Sequence, residues 1–223
     1  MAVLFAIGAT CFTVGGIASQ WSSTSRPAIG YVFFVGSIFF TTAAALQLAE
    51  SLATHRRIDW VSALVQLAGT ILFNISTFAA LQHNLTTNQQ NARVWAPDAF
   101  GSIAFLVSSA MSFYAVRNRW WCFEWRSRDW KVAALNLLGS IAFGISAVAS
   151  LIEPSTGEPV SAHIANSGTS AGGACFLIAA LMLVPAAAPT GSSRSDDAAA
   201  AADDELRSGE PDPTTARQAG PLH

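Results

Sequence analysis

Charge is what this sequence has least of. Only 12% of its 223 residues are Asp, Glu, Lys or Arg, against roughly 25% in an average soluble domain. The scarcity is also uneven. Seven of the fourteen acids (Asp196, Asp197, Asp203, Asp204, Glu205, Glu210 and Asp212) fall in the last 28 residues. Residues 1–185 hold nine basic and seven acidic residues, net +2, and the tail holds three Arg against its seven acids, net −4. So little charge leaves too little polar surface to clothe a water-soluble core, and it points to lipid as the solvent. Lysine is nearly missing too, one residue beside eleven Arg, and Ala is abundant. That bias is associated with GC-rich bacterial genomes.

Other absences narrow the function. The three cysteines form no disulfide framework: Cys11 and Cys175 sit in apolar runs and Cys122 in a polar stretch. No cysteine–histidine cluster has zinc spacing, and His83 and His163 stand too isolated to make a metal site. There is no Gly-rich phosphate loop, nucleophile elbow, pair of carboxylates or basic nucleic-acid surface. The expectation is a protein without catalysis, cofactor, metal or nucleic-acid partner. The apolar runs carry no ionisable group at mid-depth; Glu50 and Lys131 lie at run ends, within snorkelling reach of an interface. This argues against a proton relay, a voltage sensor or carboxylate-based ion coupling.

What is present is long apolar runs: 1–18, 28–48, 61–81, about 97–116, 130–152 and 162–184. Each is near the ~20 residues needed to cross ~30 Å of hydrocarbon. A barrel would show alternating segments of about 10 residues instead. Continuous runs satisfy their own backbone only as helices. Polar stretches separate them at 19–27, 50–59, 82–96, 117–129 and 153–160, with Pro97 suited to the first turn of the fourth helix. The first run could be taken for a signal peptide, but it lacks a basic start and a small-x-small cleavage site. Its counterpart of Trp60 and Trp130 would precede Met1, so either the helix starts upstream of Met1 or it is a clipped copy.

Inside each run a Gly precedes a Phe by four residues: Gly8/Phe12, Gly36/Phe40, Gly69/Phe73, Gly101/Phe105, Gly139/Phe143 and Gly172/Phe176. Such a pair shares one helix face, and Ser146, seven residues after Gly139, extends the stripe. Small residues let helices approach and Phe fills the adjoining space, so the repeat is read as a packing device. Residues 59–81 and 129–151 also share 11 of 23 identities, among them Asp59/Asp129 and Trp60/Trp130. The predicted fold is all-α: a polytopic membrane protein of six transmembrane helices built as three repeated hairpins, about 1–50, 59–116 and 129–185. Units with an even number of helices insert the same way up, as parallel repeats. Residues 186–223 are predicted to be a disordered, acidic cytoplasmic tail.

Short-loop charge orients the chain. One side holds Arg56, Arg57, Arg117, Arg119, Arg126, Arg128, Lys131 and the three tail Arg; the other holds Arg26 and Arg93. Both termini are therefore expected in the cytoplasm, in a bacterial plasma (inner) membrane. Trp120, Trp121, Trp125 and Trp130 would lie at the headgroup level. The polar residues left within spans are Gln47, Gln66, Asn74 and Asn136, with Gln66 and Asn136 at equivalent repeat positions.

The last third of the chain resembles the YrhK-like family of small bacterial membrane domains. The residues that carry this are Asp129-Trp130, Gly139-Ser140-Ile141-Ala142-Phe143, the Pro154…Gly157 turn, and Asn166-Ser167-Gly168-Thr169 before Gly172…Cys175-Phe176. The resemblance covers about 127–185, with a fainter echo at 57–116. It implies a two-helix membrane unit of uncharacterised function and no catalytic residues. The sequence thus favours a structural or interaction role, with the lipid bilayer and a homo-oligomer or another membrane protein as partners. The alternative is a small channel or transporter with a polar pathway between repeats lined by Gln66, Asn74 and Asn136.

Overall fold

The computed structural model of the protein describes residues 1–21, 26–54, 56–116 and 126–184. Cys122, Trp120, Trp121, Trp125 and the acidic tail lie outside them. The described chain forms six principal helices: α1 (Ala2–Ala18), α2 (Arg26–Ala53), α3 (Arg57–Ala79), α4 (Thr87–Val116), α5 (Arg128–Ala149) and α6 (Ala162–Leu183). Five of them, α2 to α6, are long and apolar enough to cross a membrane; α1 is equally apolar but has only 17 residues.

Helices reach into two stretches expected to be loops: α2 runs on to Ala53 and α3 starts at Arg57, within 50–59, and α4 starts ten residues early. Residues 87–96 are helical rather than loop. Thr86 opens α4 with a capping box, its hydroxyl accepting from the Gln89 amide while the Gln89 side chain accepts from the Thr86 amide. The helix then widens into a π turn at Asn91–Trp95. The cause is Pro97. A proline within a helix lacks a donor and crowds the carbonyl four residues back, and a widened turn accommodates both.

Each helix packs on its neighbours in sequence, and α6 packs on α1, so the six close into a ring. The five-residue core Gly-Ser-Ile-Ala-Phe explains the ring. At about 100° per residue, the Gly and the residue after it face directions about 100° apart, close to the corner of about 120° that a six-membered ring needs, and the Phe points between them. The Gly meets its hairpin partner. A methyl group added at Gly8, Gly36, Gly69, Gly101, Gly139 or Gly172 would stand 2.9–3.2 Å from the carbonyl oxygen of Gly36, Gly8, Gly101, Gly69, Gly172 or Gly139 respectively. The next residue meets the other neighbour. Ser37 hydrogen-bonds Thr77 of α3, Ser140 bonds Ser109 of α4 at 2.7 Å, and Gly173 lies against Thr13 of α1. An antiparallel helix reverses the sense of rotation and also has its hairpin partner on the opposite hand, so one motif serves both helices of a hairpin.

The third residue of the motif points out. Ile38, Ile71, Ile103 and Ile141 are 42–56% exposed, while the smaller Ser37, Ser102 and Ser140 are fully buried. The exterior carries the branched aliphatics and the interior carries Gly, Ala, Ser and Phe, an arrangement suited to hydrocarbon outside.

The Phe side chains fill the ring axis. All six are 2–6% exposed. Phe12, Phe73 and Phe143 of the odd helices form one triangle with ring centroids 5.8–6.2 Å apart. Phe40, Phe105 and Phe176 of the even helices form another at 5.7–6.3 Å. Side chains tilt toward their own helix N-terminus, which draws the two layers together. Centroids across each hairpin are 5.4, 5.1 and 5.6 Å apart.

These contacts predict opposite outcomes at two glycines of α5. Gly139→Val drives methyl groups into Phe176 and the Gly172 carbonyl and should cost about 1–3 kcal/mol or more. At Gly144 an added carbon meets nothing within 4 Å, so Gly144→Ala should be neutral or stabilise by up to about 1 kcal/mol through helix propensity. Unfolding of the purified protein in detergent, followed by circular dichroism, separates the two.

Candidate functional site: two axial cavities

The Phe plug divides the ring axis into two cavities. The near cavity, on the side of Met1, has a volume of about 270 Å³ and is lined from all six helices, with Phe176 at its floor. The far cavity, about 240 Å³, opens toward the α1–α2, α3–α4 and α5–α6 connections, with Phe12 at its floor.

Both cavities follow from the repeat. Residues three before and eleven after each Gly are two helical turns from the Phe on either side, so they share its axis-facing stripe. On the odd helices the position three before Gly is Phe5, Gln66 and Asn136, and all three line the near cavity. On the even helices it is Phe33, Asp98 and Thr169, and all three line the far cavity. The position eleven after Gly on the even helices supplies Gln47, Ser112 and Leu183 to the near cavity. At the position three before Gly the first hairpin carries Phe5 and Phe33, and the other two carry Gln66, Asp98, Asn136 and Thr169.

Gln66 and Asn136 thus come together on the axis, and Gln47 joins them. Gln66 accepts a hydrogen bond from the Ser108 hydroxyl at 3.3 Å. Asn74 lies elsewhere. It donates to Thr41 Oγ1 at 2.7 Å across α2 and α3, lines neither cavity, and leaves its buried Oδ1 without a hydrogen bond. Gln66, Asn74 and Asn136 therefore do not share one path. Cys11 and Cys175 lie within α1 and α6, and Cys11 packs against Gly36 of the neighbouring helix. Among the described residues no three His, Cys, Asp or Glu side chains gather as a metal site.

Asp98 is the group that the sequence reading passed over. It follows Pro97, and a helix starting there would leave it at the end of a run. With α4 starting at Thr87, Asp98 lies about 16 Å along the helix, and it faces the far cavity rather than bulk water. The observation that apolar runs have no internal ionisable group is corrected at this position. Its offset of three from Gly101 matches that of Gln66 and Asn136 from their glycines, and this was the signal available in the sequence.

The far cavity is rich in acceptors. The hydroxyls of Ser76, Thr77, Ser146, Ser150 and Thr169 each donate to a backbone carbonyl, and the Trp95 indole N–H donates to Ala147 O at 2.8 Å. Ser146 and Thr169 also bond each other at 2.8 Å, and Thr77 bonds Ser37 at 2.9 Å, so the hydroxyl hydrogens are spent within the helix ring and what is left for an occupant is oxygen lone pairs. Asp98 makes no hydrogen bond or ion pair with any described residue; the ion pair that the described residues do form is Arg56–Asp59 at 3.6 Å. No Lys or Arg lines the cavity.

Its rim is tied down. The Asn91 side chain donates to Ile152 O at 2.8 Å and accepts from Ile152 N at 3.0 Å. This strand-like clamp holds the α5–α6 connection against the π turn. The connection itself is pinned by the bridge between Ile152 and Pro159 and by Gly157 at φ +71°, where glycine avoids the penalty of left-handed backbone. Across the ring, Asn166 donates to Ser19 O at 3.1 Å and Gln20 to Ser167 Oγ at 3.0 Å, joining the first and last helices.

Comparisons with family models, with characterised proteins and with solved structures gave no match. One consequence is direct. Asn91→Ala strips both bonds from the Ile152 backbone, at a local cost of about 1–3 kcal/mol for the unpaired groups. Hydrogen exchange should speed up at the Ile152 amide and along 152–160 while α1–α3 keep their protection. Unchanged exchange there would show that the clamp does not hold the rim.

Proposed function

We propose that this chain is a bacterial inner-membrane protein that carries or conducts a small solute along its helix-ring axis, and that the arrangement described is its closed state. The observation that supports this is the pair of polar cavities on one axis, separated by the double triangle of Phe. Every helix contributes to them at the same offset from its Gly. A core meant only to hold helices together would be filled at these positions, as the first hairpin fills them with Phe5 and Phe33. The reading is of a non-enzymatic protein.

Further parts of the proposal concern its setting. The six helices are read as six spans in three parallel hairpins of the YrhK-like type, with the near side cytoplasmic. In favour are the five helices of sufficient length, the reciprocal Gly contacts within each pair, and the basic residues of the near side. The aromatic ends Trp60 and Trp130 on the near side and Trp21 on the far side suit headgroup depth.

A second reading, a structural or interaction role within the bilayer, draws on a specific observation as well. The plug is continuous, and the Gly pairs leave helices of one hairpin in backbone contact, so no path exists without movement. Flux separates the two. In proteoliposomes the transport reading expects slow, saturable movement of small solutes through the wild type. It also expects at least tenfold faster leakage through Phe105→Ala/Phe176→Ala, which removes two of the three rings in one layer. A folded double variant that stays tight would favour the structural role. For orientation, a single cysteine placed at Ser155 should react with an impermeant maleimide from outside intact cells, and labelling only after lysis would reverse the topology.

A further inference from the structure

We infer that the far cavity is a binding site for a small organic cation, with the Asp98 carboxylate as its counter-ion. The inference rests on the transport reading for its context and names the ligand class of that same cavity. Three observations carry it. First, Asp98 lines the far cavity within the helix ring, with no partner for its charge among the described residues. An ionisable group placed so deep is costly unless something compensates it, and it marks a functional position. Second, the hydroxyls lining the same cavity, Ser146 and Thr169 among them, spend their hydrogens on backbone carbonyls and on each other. What they offer an occupant is lone pairs, which suits a cation or a donor and repels an anion. Third, Phe12, Phe33 and Trp95 line the same space. Aromatic faces attract a desolvated ammonium group and also accommodate a carbon body. A cavity of about 240 Å³ is roomy for a bare metal ion and suits an ammonium group carrying several carbons.

The near cavity provides the contrast. At the matching register it has the neutral amides Gln66 and Asn136 where the far cavity has Asp98. The near cavity's own carboxylate, Asp129, is an exposed residue at the start of α5, so it is at the register three before Gly that the carboxylate belongs to the far side alone. The acids of the α5–α6 connection, Glu153 and Glu158, lie on that same side and would favour approach of a cation.

The test uses the full chain in lipid nanodiscs and isothermal titration calorimetry. The probes are choline, its uncharged carbon isostere 3,3-dimethyl-1-butanol, tetraethylammonium, and NaCl or KCl as competitor. The expected result is saturable binding of choline or tetraethylammonium and at least tenfold weaker binding of the isostere. Asp98→Asn, which keeps side-chain shape, should lose the binding at least tenfold with its melting temperature unchanged, and Asp98→Glu should retain it in part. Equal binding of the isostere, full binding by Asp98→Asn, displacement by equimolar Na⁺ or K⁺, or no heat from either ammonium ion would each overturn the inference. Flux measured on the same preparations keeps the two claims apart. Binding without flux would sink transport and leave the site. Flux that ignores Asp98→Asn would sink the site and leave transport.

Discussion

The close approach of paired glycines is the constraint on which the rest of the structure depends. In each hairpin the two backbones meet at Gly, with room for no more than a hydrogen between one Cα and the opposite carbonyl. That distance decides how far each helix stands from the axis. Only at this radius do six Phe rings from six helices reach the centre and touch, at 5.1–6.5 Å between centroids. A wider ring would leave the rings apart, and a narrower one would force them to overlap. Helices in lipid gain little from excluding solvent between them, so association rests on packing of this kind. Aromatic edge and face contacts, each worth about 0.5–1.5 kcal/mol beyond burial, then reward the radius that glycine permits.

The plug and the cavities follow from the same periodicity. A stripe that returns every seven residues places three side chains per helix on the axis, and the Phe is the middle one. If all three were large, the axis would be solid. In the first hairpin one outer position on each helix is filled, with Phe5 and Phe33 beside Phe12 and Phe40. In the other two hairpins the outer positions carry Gln66, Ala80, Asp98, Ser112, Asn136, Ser150, Thr169 and Leu183, and the space they leave is the two cavities. The three helix pairs therefore share the Gly contact and differ at the positions that face the axis. Function written onto a repeated scaffold is expected at such positions rather than at the contacts that build it.

How much of this was legible in the sequence depends on what kind of contrast encodes it. The helices were legible from length and apolarity, and the Gly–Phe pairs from their recurrence. The direction each face takes was not, because polarity hardly varies around these helices: the outside is as apolar as the inside. Orientation is written in size instead, with Gly and Ser turned inward and Ile outward, and a hydropathy pattern does not register size. The start of α4 was hidden by Pro97, which ordinarily opens a helix and here sits ten residues inside one, made tolerable by the π turn. Asp98 was hidden by the same proline, since a residue beside a supposed helix end looks solvated. Asn74 misled in the other direction. A polar residue in an apolar run suggests a pathway, but its partner Thr41 lies across one helix contact, which is the commoner use of an amide in lipid.

The different lining of the two cavities bears on how such a ring could work. Asp98 among hydroxyls and aromatic rings on one side, and the amides Gln47, Gln66 and Asn136 with the exposed Asp129 on the other, give a cation different affinities at the two ends of the axis. Affinity of that kind cannot by itself move a solute, because a ligand shifts a conformational equilibrium only by its differential affinity for the two states. The movable part must therefore be the plug or a hairpin interface. Of the two kinds of interface, those within hairpins are locked backbone to backbone by Gly. The α2–α3 and α4–α5 contacts instead run through side chains, Ser37 to Thr77 and Ser109 to Ser140. Side-chain hydrogen bonds in membranes are worth roughly 1 kcal/mol or less each and can exchange partners as helices slide. The α1–α6 seam differs from these two, because Gly16 and Gly173 bring it as close, backbone to backbone, as a Gly pair does, so the looser contacts of the ring are α2–α3 and α4–α5.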